Sequence, residues 1–191
     1  MTDDIDALHM TIAALGWSDF FDDQLEPDEA GLDRMRVATV HRSRMTAQSL
    51  QGQVNLQLAP KANTSDYAVG DWVLVEPETA LLRRRLERRT VLQRRTEGGT
   101  APQLIAANVD TLFIVTSCND DLNPARLERY LALANEAGTT PVIVLTKVDQ
   151  VPDAGPYLEQ VTGLQRGLSV VTLNANSPEA AAKLAPWCGE G

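Results

Sequence analysis

Sulfur is scarce in this chain. Cys118 and Cys188 are its two cysteines, seventy positions apart. That spacing supports neither a disulfide framework nor a zinc-ligand pattern, so a reduced, cytoplasmic protein is expected. No apolar run approaches the roughly 18 residues needed to span a bilayer. The first residues, Met1 to Asp6, carry three aspartates and no basic n-region, which is not the start of a secretory leader. Histidine is limited to His9 and His41, both read as ordinary surface or satisfied side chains. Aromatics make up 5% of the chain. Trp17 reads as a packing anchor and Trp72 as part of a β core, not as stacking platforms for bases.

Positive charge is missing from the front of the chain and concentrated just behind it. Residues 1–33 hold ten Asp/Glu and no Lys/Arg, residues 34–95 hold twelve Lys/Arg against five Asp/Glu, and residues 96–191 hold five against eleven. The net charge of −9 therefore conceals a basic middle section. Such asymmetry suggests a polyanionic partner for that section alone.

The texture divides at the same places. Ile5, Leu8, Ile12 and Leu15 recur at helical spacing, so residues 1–33 read as an amphipathic arm. From Arg36, short β-prone runs are separated by turn residues. These are Arg36 to Val40, the alternating Val54 to Leu58, and Val69-Gly70-Asp71-Trp72-Val73-Leu74-Val75. With no convincing helix among them, they predict a small β-barrel over residues 34–95. Seven arginines close it: Arg83, Arg84, Arg85, Arg88, Arg89, Arg94 and Arg95. Beyond Thr96 the pattern becomes β-α-β-α-β-α, which predicts a parallel sheet. Its strands are Val109 to Thr116, Pro141 to Leu145 and Leu168 to Leu173, the first two read as buried on both faces. Its helices are Asn123 to Ala137, Tyr157 to Arg166 and a last one capped at Ser177-Pro178-Glu179. The join falls near residues 90–107.

Thr146-Lys147-Val148-Asp149 follows the second of these strands directly. Ligands of open α/β sheets bind beyond the carboxyl ends of strands. An ionised Asp149 can accept hydrogen bonds from guanine N1–H and the exocyclic amine together, a donor pair adenine lacks. The Lys147 stem can lie along the base while its ammonium stays wet. Asn174-Ala175-Asn176-Ser177, after the third strand, supplies a second loop, with the Ala175 N–H placed to reach guanine O6. A polar loop without a ligand is the competing reading of a lone K-x-D. No G-x-x-x-x-G-K-[ST] occurs, Gly98-Gly99-Thr100 lacks the lysine and the length, and no D-x-x-G follows a strand of residues 96–191. These residues alone therefore do not cradle a magnesium triphosphate.

Several stretches together resemble the ribosome small-subunit-dependent GTPases, the RsgA (YjeQ) family. They are Val69 to Val73, Glu87-Arg88-Arg89-Thr90-Val91-Leu92-Gln93-Arg94, Gln103-Leu104-Ile105-Ala106-Ala107-Asn108-Val109-Asp110, and Asn123 to Leu131 (N-P-A-R-L-E-R-Y-L). The resemblance implies an OB-fold-like barrel followed by part of a circularly permuted P-loop GTPase domain, in which base-recognition motifs precede the phosphate-binding loop. It implies a small ribosomal subunit biogenesis GTPase that binds GTP or GDP and rRNA during late 30S maturation. GTP contacts would fall on Thr146, Lys147, Val148, Asp149, Asn174 and Ala175. Contacts to rRNA would fall on Arg42, Arg44, Arg83, Arg84, Arg85, Arg88 and Arg89. A competing reading makes the arginines a solvated strand and linker that pair with nearby carboxylates. Mg2+ and a structural Zn2+ are implied only for the full-length family member, as is a monomeric state. A chain ending at Gly191 is expected to be a truncated or incomplete product, incompetent in hydrolysis and prone to self-association through its first α/β strand. The alternative is a stand-alone RNA-binding barrel with a non-catalytic α/β scaffold. Thr146 and Asn174 depart from the Asn and Ser usual at those places. Arg126 and Arg129 are expected on the exposed face of their helix.

Overall fold

A computed structural model describes residues 11–60, 62–94 and 102–189. Within it the chain divides into two compact units, one running to Arg89 and the other from Thr90 to Gly189. Ile5 and Leu8 of the expected arm, the boundary at residues 95 and 96, Arg95 and the Gly98–Thr100 turn lie outside the described residues.

In the first unit the arm is not one helix. Ala13–Leu15 form a 3-10 turn, Asp19–Asp22 a single helical turn (α1) and Pro27–Glu29 a second 3-10 turn. Gly16 in the left-handed region (φ 92°) reverses the chain between the first two. The bend delivers Trp17 and Phe21 to one spot. Trp17 meets Trp72 edge-to-face at 4.8 Å between ring centroids, and Phe21 is fully buried. Five strands follow: β1 (Asp33–Val40), β2 (Met45–Ser49), β3 (Gly52–Leu56), β4 (Trp72–Val75) and β5 (Leu82–Arg85). They form an antiparallel sheet in the order β3-β2-β1-β4-β5. The expected barrel is realised as a curled sheet whose outermost strands meet only at a bridge, Gln57 to Leu81. There the Gln57 N–H donates to Ala80 O (2.8 Å) and the Leu82 N–H to Gln57 O (2.9 Å).

Pleating splits β4 between two cores. Val73 and Val75 join Met35, Val37, Met45, Ala47, Leu56 and Leu82 inside the curl. Trp72 and Leu74 face the other way, against Trp17, Phe21 and Leu86. Trp72 is therefore not in the barrel core, as expected from the sequence, but under the arm. The first turn of β4 is held by Asp71, whose carboxylate accepts Arg88 Nε (2.6 Å), Arg88 Nη2 (2.7 Å) and the Ala68 N–H (2.8 Å).

The second unit opens with an antiparallel hairpin, β6 (Val91–Arg94) and β7 (Gln103–Ala107), where the sequence suggests a connector. Thr90 secures its base, its hydroxyl donating to Val109 O (3.0 Å) and accepting the Val109 N–H (2.8 Å). A parallel sheet follows, built of β8 (Thr111–Ser117), β9 (Thr140–Thr146) and β10 (Ser169–Thr172) in the order β10-β9-β8. Its helices are α2 (Pro124–Ala137), α3 (Gly155–Thr162) and the short α4 (Ala180–Leu184). Asn123 caps α2, its Oδ1 accepting the Arg126 N–H (3.0 Å), and left-handed Gly138 ends it.

The central strand explains the layering. Ile143 and Leu145 of β9 pack with Leu127 and Leu131 of α2 and Val161 of α3, while Val142 and Val144 pack with Val171 and Leu173. Ala180 and Leu184 of α4 close that second face. The expectation of strands buried on both faces holds for β9. It fails for β8, whose Val115 is 63% exposed, because β8 is the outermost strand of the described sheet.

Candidate guanine site and basic turn

Parallel register brings the carboxyl ends of the three strands to one edge. Ser117 lies opposite Thr146, and Thr172 opposite Leu145. The loops after β9 and β10 therefore leave the sheet side by side, where open α/β sheets bind ligands.

The loop after β9 turns at once. Lys147 adopts the left-handed conformation (φ 59°, ψ 31°), uncommon for a residue with a side chain. Val148–Gln150 then form a 3-10 turn, with the Gln150 N–H donating to Lys147 O (3.0 Å). Asp149 sits in this turn, not on an α-helix, and is exposed. Among the described residues neither its carboxylate nor the Lys147 ammonium has a protein partner, which leaves both open to a ligand. A left-handed non-glycine residue costs of order 1 kcal/mol and persists where the surroundings over-determine it, a pattern concentrated at binding loops.

Thr146 is the last residue of β9. Its hydroxyl donates to Thr116 O (2.8 Å), and its carbonyl accepts the Cys118 N–H (3.0 Å). The hydroxyl thus ties the ends of β8 and β9 together, where an asparagine amide would have projected further. Burial pushes the Cys118 thiol above its usual range, making it a neutral packing group and no nucleophile.

The loop after β10 is shaped by Asn174. Its Oδ1 accepts the Asn176 N–H (2.9 Å), and its carbonyl accepts the Ser177 N–H (3.0 Å). Ala175 itself is exposed, and its N–H has no acceptor among the described residues. The loop at Ser117–Asn119 shares the same edge, with the Ser117 hydroxyl bonded to Asn119 Oδ1 (2.8 Å). No motif in the sequence marks it; it comes to the edge only through the pairing of β8 with β9.

The arginines of the first unit separate into two groups. Arg83 pairs with Glu76. Arg84 grips Glu29 through Nε (2.7 Å) and Nη2 (2.5 Å), which holds the Glu29 carboxyl below its ordinary range. Arg88 is bidentate on Asp71. Arg85 donates to Leu86 O (3.1 Å), and Arg89 is exposed. Arg42 and Arg44 stand exposed in the turn between β1 and β2, with no carboxylate partner among the described residues. Pairing with carboxylates is therefore realised at Arg83, Arg84 and Arg88, and also at Arg34, which meets Asp22 at 3.4 Å. Among the described residues no group of three or more His, Cys, Asp or Glu comes together to hold a metal ion, and no helix is long and apolar enough to cross a membrane.

The model of the RsgA GTPase family matches residues 85–190. A small ribosomal subunit biogenesis GTPase RsgA of Mesorhizobium japonicum is 64% identical over 95% of this chain and 52% of its own length. RsgA 2 of Vibrio vulnificus is 44% identical over 95% of this chain and 52% of its own. The chain spans about half the length of these curated relatives. In fold it is similar to the crystal structure of YjeQ from Thermotoga maritima (TM-score 0.63, 20% identity, 82% of this chain and 56% of that one). It is likewise similar to YloQ, described as a circularly permuted GTPase (TM-score 0.58, 18% identity, 85% of this chain and 58% of that one). On the family match, with the strand-end loops ordered as described, the chain belongs to the RsgA GTPase family.

Proposed function

We propose that this chain supplies the base-recognition part of a small ribosomal subunit biogenesis GTPase acting in the cytoplasm. Asp149 reads the guanine N1–H and exocyclic amine, Lys147 covers the base, Ala175 donates to O6, and Thr146, Val148 and Asn174 shape the loops. Residues 34–95 act as an OB-like RNA-binding module with residues 1–33 as its arm, and residues 96–191 as the guanine-reading half of the permuted domain. Triphosphate binding, Mg2+ and hydrolysis belong to a phosphate-binding loop outside these 191 residues, so the chain alone binds without hydrolysing. The observation that carries the reading is that the Asp149 carboxylate just past the end of β9, and the Ala175 N–H in the loop after neighbouring β10, both lack a partner among the described residues.

The test is thermal. Millimolar GDP is expected to raise the melting temperature and ADP to leave it unchanged. Asp149→Ala is expected to erase the GDP response while the unliganded melt stays put, since an exposed, unpaired carboxylate contributes little to stability. Equal responses to GDP and ADP, or a GDP response that survives Asp149→Ala, would overturn the assignment.

A further inference from the structure

Helix α2 carries two stripes. Leu127, Leu131 and Ala134 are buried against the sheet. Arg126, Arg129, Tyr130 and Leu133 recur at i, i+3, i+4 and i+7, and so share a different face. That second stripe faces the β6–β7 hairpin across a cleft of about 840 Å3, whose other wall is Arg94, Gln103, Leu104 and Ile105. The guanine site uses none of these residues.

Two features indicate that the cleft is shaped for an occupant. The register of the hairpin slips between Leu92 and Gln93, which pair with Ala106 and Leu104, so Ile105 is the extra residue of a bulge. A bulge re-aims a side chain, and here it leaves Ile105 45% exposed beside Tyr130, itself 47% exposed. Among the described residues the three arginines also lack counter-charges. Arg94 Nε bonds Gln103 Oε1 (2.9 Å), Arg126 Nη2 bonds Asp121 O (2.9 Å) and Arg129 Nε bonds Ala125 O (3.3 Å). Each contact is to a neutral oxygen, and none of the three guanidiniums has a carboxylate within ion-pair distance among the described residues.

The lining selects the partner. Leu104, Ile105 and Leu133 are aliphatic, and Tyr130 is the single ring. Single-stranded nucleic acid is held by repeated flat faces along an extended basic groove. Residues 90–189 instead hold seven Lys/Arg against ten Asp/Glu, and three of the seven are gathered at this cleft. Positive charge within this net-acidic stretch is thus concentrated at the cleft, which suits a short anionic segment better than a long polyanion. We propose that this cleft docks a short acidic segment of a partner protein, its carboxylates forked by Arg126, Arg129 and Arg94 and its aliphatic side chains seated on Ile105, Leu133 and Tyr130.

Fluorescence anisotropy on the full chain tests this with a short labelled peptide of alternating aspartate and leucine. Its lysine–leucine counterpart and a short single-stranded RNA serve as comparators. The acidic peptide is expected to bind saturably and the basic one not at all. Arg126→Glu and Arg129→Glu should each weaken binding by about tenfold or more, the scale of a lost bidentate pair. Ile105→Ser should weaken it several-fold, with thermal melts confirming that each variant folds. Arg129→Lys, which keeps the charge without the fork, should fall between wild type and Arg129→Glu. Three results would overturn the proposal. They are no saturable binding of the acidic peptide, binding that Arg126→Glu and Arg129→Glu leave unchanged, or RNA that binds through these same arginines and displaces the peptide.

Discussion

Asp71 shows how much one side chain can decide. Its carboxylate is inaccessible to solvent, Arg88 is 12% exposed, and three N–H groups converge on the two oxygens. The Arg88 fork is also bonded to Asp66 O (2.9 Å), so the pair joins the end of the polar loop to β4 and to the residues after β5. Removing one partner of a buried pair strands the other charge, at a cost of about 3–5 kcal/mol. Asp71→Ala and Arg88→Ala are each expected to lose that much in urea unfolding, and the double variant less than the two losses combined. Arg83→Ala, whose Glu76 pair is half exposed, should change stability by less than about 1 kcal/mol. The same comparison bears on the arginine cluster, since a residue already committed to a carboxylate is a poor candidate for a phosphate.

At the scale of elements, the open side of β8 stands out. β8 ends the described parallel sheet, and Val115 at its centre is 63% exposed. A strand edge of this kind, with an apolar residue on its surface, is a template for pairing with another copy. The 191-residue chain is expected to self-associate as concentration rises, seen by light scattering. Val115→Lys should shift the equilibrium toward monomer without lowering the melting temperature, because an exposed site away from the core tolerates the charge. A wild-type chain that stays monomeric at high concentration counts against this use of the edge.

Charge is organised over the whole molecule. The section with net positive charge, residues 34–95, contains the curled sheet and runs on into the β6 strand of the second unit, while both flanking sections are acidic. Within it, Arg42 and Arg44 are exposed on one turn with no carboxylate partner among the described residues. The proposed binding of this section to small-subunit rRNA is therefore expected to weaken steeply with salt. Replacing Arg42 and Arg44 together by alanine should flatten the log–log salt slope by about 2, close to one for each phosphate no longer neutralised. Replacing the Glu76-bound Arg83 should flatten it less. A slope indifferent to Arg42 and Arg44 would move RNA recognition away from this turn.

The sequence alone determined the features that local pattern controls. The continuous apolar run Pro141 to Leu145 could only be a buried strand, Asn123 and Gly138 bracket a helix by capping chemistry, and Thr146 to Asp149 falls where such a strand must end. The family resemblance likewise followed from local stretches, among them Val69 to Val73, Gln103 to Asp110 and Asn123 to Leu131. What tertiary structure decided is everything that depends on pairing. Met45–Ser49 and Leu82–Arg85 are too polar to announce themselves, and are strands because β1 and β4 offer them hydrogen bonds. Trp72 faces the arm and not the curl because a one-residue pleat, set by register with β1, assigns its side. Ile105 reaches the cleft only through a slip in the β6–β7 register. Hydrophobic periodicity and caps act over one or two turns of chain and can be read in order. Register and charge pairing join residues tens of positions apart, as Arg84 joins Glu29, and are settled only when the chain has folded.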